Sequence, residues 1–208
     1  SRIYNASEVV VPGFLPDLPD VRTEMAQYYS SVRRVDDNVA VLLETLEDMG
    51  RTNDTIVLFL SDNGISNPYA KLSCYQASLR VPLLIRYPDG GIVGGLRDKL
   101  NMVSAVDIAP TLLELAGLDV PPTMSGRSFV PLLQRQSQTD RDYIIAYYYR
   151  NLRRTRMFPE FTVHTREWNY IYNPWVDGRK QTEKSDFWNS LTLLAMEAAA
   201  ETIPSIQA

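Results

Sequence analysis

Asp62 and Asn63 sit directly after an unbroken apolar run at residues 55–60, inside Ser61-Asp62-Asn63-Gly64, and Lys71 follows in the next loop. A carboxylate oxygen and an amide oxygen are hard ligands suited to Ca²⁺ or Mg²⁺. A nearby lysine could hold an anion against such a cation. Two oxygens are too few for calcium, which takes about six to eight, so further ligands must come from elsewhere. Taken alone, Asp-Asn-Gly after a strand is also a turn signal, since Asn-Gly suits positive φ. Lys71 alone reads as a solvated lysine.

Elements on either side must position these residues. A run apolar at every place predicts a strand buried on both faces, as in a parallel sheet covered by helices. In such sheets chemistry sits beyond the carboxyl ends of strands, where Asp62 and Asn63 stand. Before the strand, apolar residues at Val21, Met25, Tyr28, Val32, Val35, Val39, Leu42, Leu46 and Met49 step by four and three. That predicts one long helix, capped by Asp20 and ended by Gly50. After it, residues 81–87 predict a second strand and residues 104–117 a helix, capped by Ser104 or Asp107 and closed by Gly117. Pro12, Pro16 and Pro19 make residues 1–20 an extended connector.

Residues 134–141 are polar, predict an exposed link, and mark a change of character. Beyond them, residues 143–149, 161–164 and 168–172 predict short strands rich in aromatic and β-branched residues. A last helix is expected over residues 185–202, with Leu191, Leu194 and Ala198 on one face. The division is 1–133, an α/β part, and 134–208, a small antiparallel β part with a terminal helix.

Composition narrows the chemistry. The chain has 208 residues, 45% of them hydrophobic, enough for a real core. A formal net charge of −4 gives no overall drive toward nucleic acid or anionic membranes. One cysteine, Cys74, leaves no internal disulfide framework, and one histidine, His164, argues against zinc chemistry of the His₂ or His₃ kind. Cys74 is expected as a small buried residue and His164 as a structural one. No apolar stretch approaches the length of a membrane span, and the start does not read as a leader. Arg150, Arg153, Arg154 and Arg156 form a basic cluster, either a solvated loop or a guide for a sulfated polysaccharide. Asn5-Ala6-Ser7 and Asn53-Asp54-Thr55 are glycosylation sequons.

Several of these pieces together resemble the sulfatase family. They are Ser61-Asp62-Asn63-Gly64 after an apolar strand, Lys71-x-x-x-Tyr75, and Arg80-Val81-Pro82-Leu83. Asp107-Ile108-Ala109-Pro110-Thr111 and Gly126-Arg127-Ser128 follow in the family's order. Pro12-x-x-Leu15-Pro16-Asp17, Asn173-Pro174-Trp175 and the helix around Leu191-Thr192 are most similar to the N-sulfoglucosamine sulfohydrolase branch.

The resemblance implies an alkaline-phosphatase-like α/β/α sandwich, present in part, followed by an antiparallel subdomain. It implies hydrolysis of sulfate esters or sulfamates by a formylglycine nucleophile with a divalent cation, Ca²⁺ or alternatively Mg²⁺. Asp62 and Asn63 would be metal ligands and Lys71 would contact the sulfate of a sulfated small molecule or glycan. No nucleic acid or membrane partner is implied, and the compartment would be secreted, periplasmic or lysosomal. The family's nucleophile motif, Cys/Ser-x-Pro-x-Arg, is absent from these residues; Cys74 is followed by Tyr75-Gln76-Ala77-Ser78. The expectation is therefore an internal portion of a sulfatase, inactive by itself. The alternatives are a phosphohydrolase or phosphotransferase of the same superfamily, or a non-catalytic fragment.

Overall fold

A computed structural model describes residues 1–92, 94–138, 141–149, 151–152, 156–157, 159–174, 176 and 189–202. They fall into two compact units that interleave along the chain: Ser1–Gly50, Asp62–Val81 and Gly178–Ala208 in one, Arg51–Ser61 and Pro82–Asp177 in the other. The change of composition near residue 133, by contrast, is a linear one.

The first unit is built on α1, Pro19–Asp48. Pro19 takes the first helical position, where a missing N–H costs nothing, so Leu18 rather than Asp20 is the N-cap. Asp20 instead lies in the first turn, where its charge suits the helix dipole. Gly50, at φ +67°, ends the helix as expected. Val21, Met25 and Ala26 pack against Val9 and Leu15 of the proline-rich connector, with Tyr29, Ile65, Ala195 and Met196 around them. The apolar stripe continues past this cluster, yet Val32, Val35 and Leu42 are exposed.

A short helix, α5 (Leu191–Ala200), lies against α1. Ser190 caps it by accepting from Leu193 N at 3.1 Å, and Thr192 N donates to Glu24 Oε2 at 2.8 Å. The buried residues are Thr192 and Leu193, and Leu194 is half exposed, so the expected face of Leu191, Leu194 and Ala198 is not the packed one. The helix is apolar on nearly every side, so periodicity could not select a face. The Glu24 bond and the seats of Ala195 and Met196 do. Residues 185–188 of the expected helix lie outside the described residues.

In the second unit, β1 (Val57–Leu60) pairs with β2 (Leu83–Arg86) antiparallel, in register from Val57↔Arg86 to Leu60↔Leu83. This corrects the expected parallel strand buried on both faces: Leu60 and Leu84 are exposed. An all-apolar run reports what a strand can bury, and carries no information on the direction of its neighbour.

Ser104 opens a capping box onto a 3₁₀ turn, Ala105–Asp107, that leads into α3, Ile108–Leu115. Asp107 is buried, and its carboxylate ties three segments together. Oδ2 accepts from Ser104 N at 2.8 Å, and Oδ1 accepts from Arg127 N at 2.9 Å and Arg141 Nη2 at 2.8 Å. Arg141 thus ends in an ion pair, whereas residues 134–137 are exposed as the polar stretch predicts. Gly126 must be glycine, because a Cβ there would overlap the carbonyl of Val106 and the amide of Asp107. α2 (Gln76–Leu79, in the first unit) and α4 (Val130–Leu133) are single turns.

The aromatic tail forms a three-stranded antiparallel sheet of order β3-β6-β7: β3 Tyr143–Tyr148, β6 Glu160–Thr165 and β7 Asn169–Tyr172. Asn151–Leu152 (β4) and Arg156–Met157 (β5) make a minor hairpin between them. The α/β class with a small antiparallel part therefore holds. Among the described residues no helix is long and apolar enough to cross a membrane.

Candidate functional site

Asp62, Asn63 and Lys71 all belong to the first unit. Asp62 is exposed, while Asn63 and Lys71 are half buried. The Asn63 side-chain amide donates to the carbonyl of Gly64 at 2.7 Å, which directs the amide nitrogen into the turn. Gly64 N in turn donates to Ser78 O at 3.0 Å. Its α-carbon is so enclosed that a Cβ would lie far inside 3.0 Å of the carbonyls of Ala77 and Ala70. Residue 64 is therefore pressed against residues 70 and 77, and Asn63 and Lys71 each stand one position from that contact. The sequence separated these residues by a loop, and the Gly64 clamp returns the loop to its start.

The donor chemistry fits a hard cation in kind: one carboxylate and one amide oxygen. Among the described residues no three His, Cys, Asp or Glu side chains gather to hold a metal. Asp62 and Asn63 alone offer fewer oxygens than calcium takes, about six to eight.

The loop around Lys71 is unusual. Tyr69 and Leu72 have φ of +66° and +58°, and the Tyr69 ring meets Tyr75 edge-on with centroids 5.4 Å apart. Sequence reasoning had no access to this, since a left-handed residue announces itself only when it is Gly, Asn or Asp. Cys74 is fully buried, as expected of a small packing residue. His164 is half buried in β6, paired with Ile144 and Asn169. Asn5 and Asn53 of the two sequons are exposed. Arg150, Arg153 and Arg154 lie outside the described residues, as does the side chain of Arg156, and so does Trp175.

Comparison with known proteins defines the class. The chain belongs to the sulfatase family, which it matches over residues 5–118, a stretch containing Asp62, Asn63 and Lys71. Residues 65–186 match a second family, described as N-sulphoglucosamine sulphohydrolase, C-terminal. Among curated relatives, human N-sulphoglucosamine sulphohydrolase is 33% identical over 144 residues, covering 65% of this chain and 28% of the human protein. N-acetylglucosamine-6-O-sulfatase of Bacteroides thetaiotaomicron is 36% identical over 129 residues, 60% of this chain and 23% of that protein. The chain thus spans about a quarter of the length of these relatives.

Solved structures agree on the fold. One, described in complex with its substrate D-glucosamine-2-N,6-O-disulfate, matches with a TM-score of 0.57 at 22% identity, covering 94% of this chain and 42% of the other. A 2-O GAG sulfatase matches with a TM-score of 0.64 at 19% identity, covering 90% and 43%. A phosphonate monoester hydrolase from Silicibacter pomeroyi matches with a TM-score of 0.59 at 19% identity, covering 93% and 44%.

Proposed function

We propose that this chain is the cation- and sulfate-binding part of a hydrolase acting on sulfate esters or sulfamates of sugars, N-sulfated glucosamine among them. Asp62 and Asn63 hold a divalent cation, Ca²⁺ or alternatively Mg²⁺, and Lys71 neutralises a sulfate oxygen. When bound, the cation supplies Lewis-acid polarisation of the transferred group. Lys71 stabilises charge there by a pre-placed ammonium. The observation that carries the reading is the Gly64 clamp, which holds the Asp62–Asn63 turn to the Lys71 loop within the stretch matched to the family. A formylglycine nucleophile would come from outside these residues, and the chain alone would not turn over.

The assay is release of sulfate from glucosamine N-sulfate and from 4-nitrophenyl sulfate in CaCl₂. The 208-residue chain should release none. A longer product of the same coding sequence carrying Cys/Ser-x-Pro-x-Arg upstream should release it, and Lys71→Ala should abolish that release. Turnover by the chain alone refutes the division of labour. A second reading, phosphonate or phosphate ester hydrolysis, is supported by the phosphonate monoester hydrolase likeness. Faster cleavage of a phenylphosphonate ester than of any sulfate would select it.

A further inference from the structure

Two non-glycine residues in the left-handed region, Tyr69 and Leu72, bracket Ala70 and Lys71. For a bulky L-residue a positive φ is a genuine outlier. Such strain persists only where its surroundings over-determine it, and it gathers at ligand clamps. The surroundings here are firm. Ala70 is fully buried and its N–H donates to Asn67 O at 3.1 Å; Asn67 and Cys74 are buried as well. Ser73 Oγ donates to Tyr69 O at 3.2 Å.

The Tyr69 ring is left partly open by this arrangement. Tyr69 is 43% exposed and Tyr75 45% exposed. Their rings are nearly perpendicular, at 82°. A T-shaped pair uses one ring edge and one ring face, so its remaining faces are not committed to each other. The buried neighbours hold the backbone turn, but a glycine would fit that turn without strain, so they do not account for an aromatic ring there. A ligand would.

We propose that Tyr69, braced by Tyr75, is a specificity-determining aromatic wall that stacks on the sugar ring whose sulfate Lys71 contacts. The C–H face of a pyranose is apolar and packs on a π-face, whereas free sulfate offers nothing to stack. The wall therefore selects sugar sulfates over the bare anion. It rests on the assignment of Lys71 to sulfate, and the test separates the two.

Isothermal titration of the 208-residue chain in CaCl₂ is carried out with glucosamine N-sulfate and, separately, with inorganic sulfate. Tyr69→Gly removes the ring while suiting the positive φ of the backbone, and its Tm is recorded to establish that it folds. It should weaken glucosamine N-sulfate binding roughly three- to tenfold and leave inorganic sulfate unchanged. Tyr69→Phe should bind both as the unaltered chain does. Equal loss for both ligands in Tyr69→Gly, or no loss for either, overturns the wall and leaves the Lys71 assignment standing. Lys71→Ala should abolish both. If Lys71→Ala binds both unchanged, or the unaltered chain binds neither, the sulfate assignment fails and the wall with it.

Discussion

Gly64→Ala tests the contact on which the site depends. At this position the added methyl group would meet the carbonyls of Ala77 and Ala70 at separations that real Cβ atoms essentially never show. Both obstacles are backbone, so neither can swing aside as a long side chain would. The Asp62–Gly64 turn must instead move away from residues 70–78 by on the order of 1 Å, the scale on which overpacked sites relax. Overpacking costs about 1–3 kcal/mol, and the Gly64 N to Ser78 O bond is worth about 1 kcal/mol more if it breaks. The expected loss is about 2–4 kcal/mol, read as a fall in the urea midpoint. Gly13→Ala is the matched control, because its Cβ would meet nothing within 4 Å and its φ lies outside the left-handed region. It should be neutral, or stabilising by about 0.4–1 kcal/mol through the unfolded chain. If both variants unfold at the same urea concentration, the clamp is not what holds the two loops together.

The remaining tests probe the frame around the site. Asp107→Ala strips a buried carboxylate from Arg141 and from two backbone amides, and should cost about 3–5 kcal/mol by urea denaturation. A double variant with Arg141→Ala should cost little more than Asp107→Ala alone, and strict additivity would refute the coupling. Ser190→Ala removes the α5 cap and should cost about 1 kcal/mol, with faster amide exchange at Leu193 as the local readout. Hydrogen bonds from Arg22 hold the Asp17 carboxyl below its usual range, and the backbone of Asn5 does the same for Glu8. A folded pKa below the unfolded one gives stabilisation that is present above pH about 4 and lost as pH falls through the folded value. Tm should therefore decline below pH 4, and less steeply in 1 M NaCl, since both ion pairs lie at the solvent surface.

What the sequence disclosed, and what it withheld, follows from the range of the forces involved. The C-terminal end of α1 was readable because Gly50 acts on its own backbone torsions, whereas Pro19, read as part of the connector, opens the helix and moves the cap from Asp20 to Leu18. The tail strands were readable because aromatic and β-branched residues suit a pleated surface wherever they fall. The metal- and anion-binding candidates were legible because Asp62, Asn63 and Lys71 carry their chemistry in their side chains. The direction of β2 against β1 and the packed face of α5 were not, since each depends on residues far away in the chain. The left-handed turn at Tyr69 was hidden for the same reason: the buried neighbours Asn67, Ala70 and Cys74 enforce it, and the tyrosine itself opposes it.

The exposed half of α1 extends this reasoning. Its apolar stripe runs with unbroken spacing from Val21 toward Met49, yet it meets a core only as far as Ser30. Periodicity measures what a helix is able to bury, and burial measures what its partners supply. Where the two agree, as at Val21 and Met25, each buried side chain contributes about 1.5–3 kcal/mol. Where they part, at Val32, Val35 and Leu42, the sequence describes a contact that the described residues do not supply. Replacing Val35 and Leu42 with glutamine should therefore leave the urea midpoint of the 208-residue chain within about 0.5 kcal/mol per site, as for ordinary surface positions. Replacing Met25 with alanine should cost about 2–5 kcal/mol. A loss at Val35 or Leu42 as large as that at Met25 would mean that the stripe is covered along its whole length, and that the helix is held by more than its first three turns.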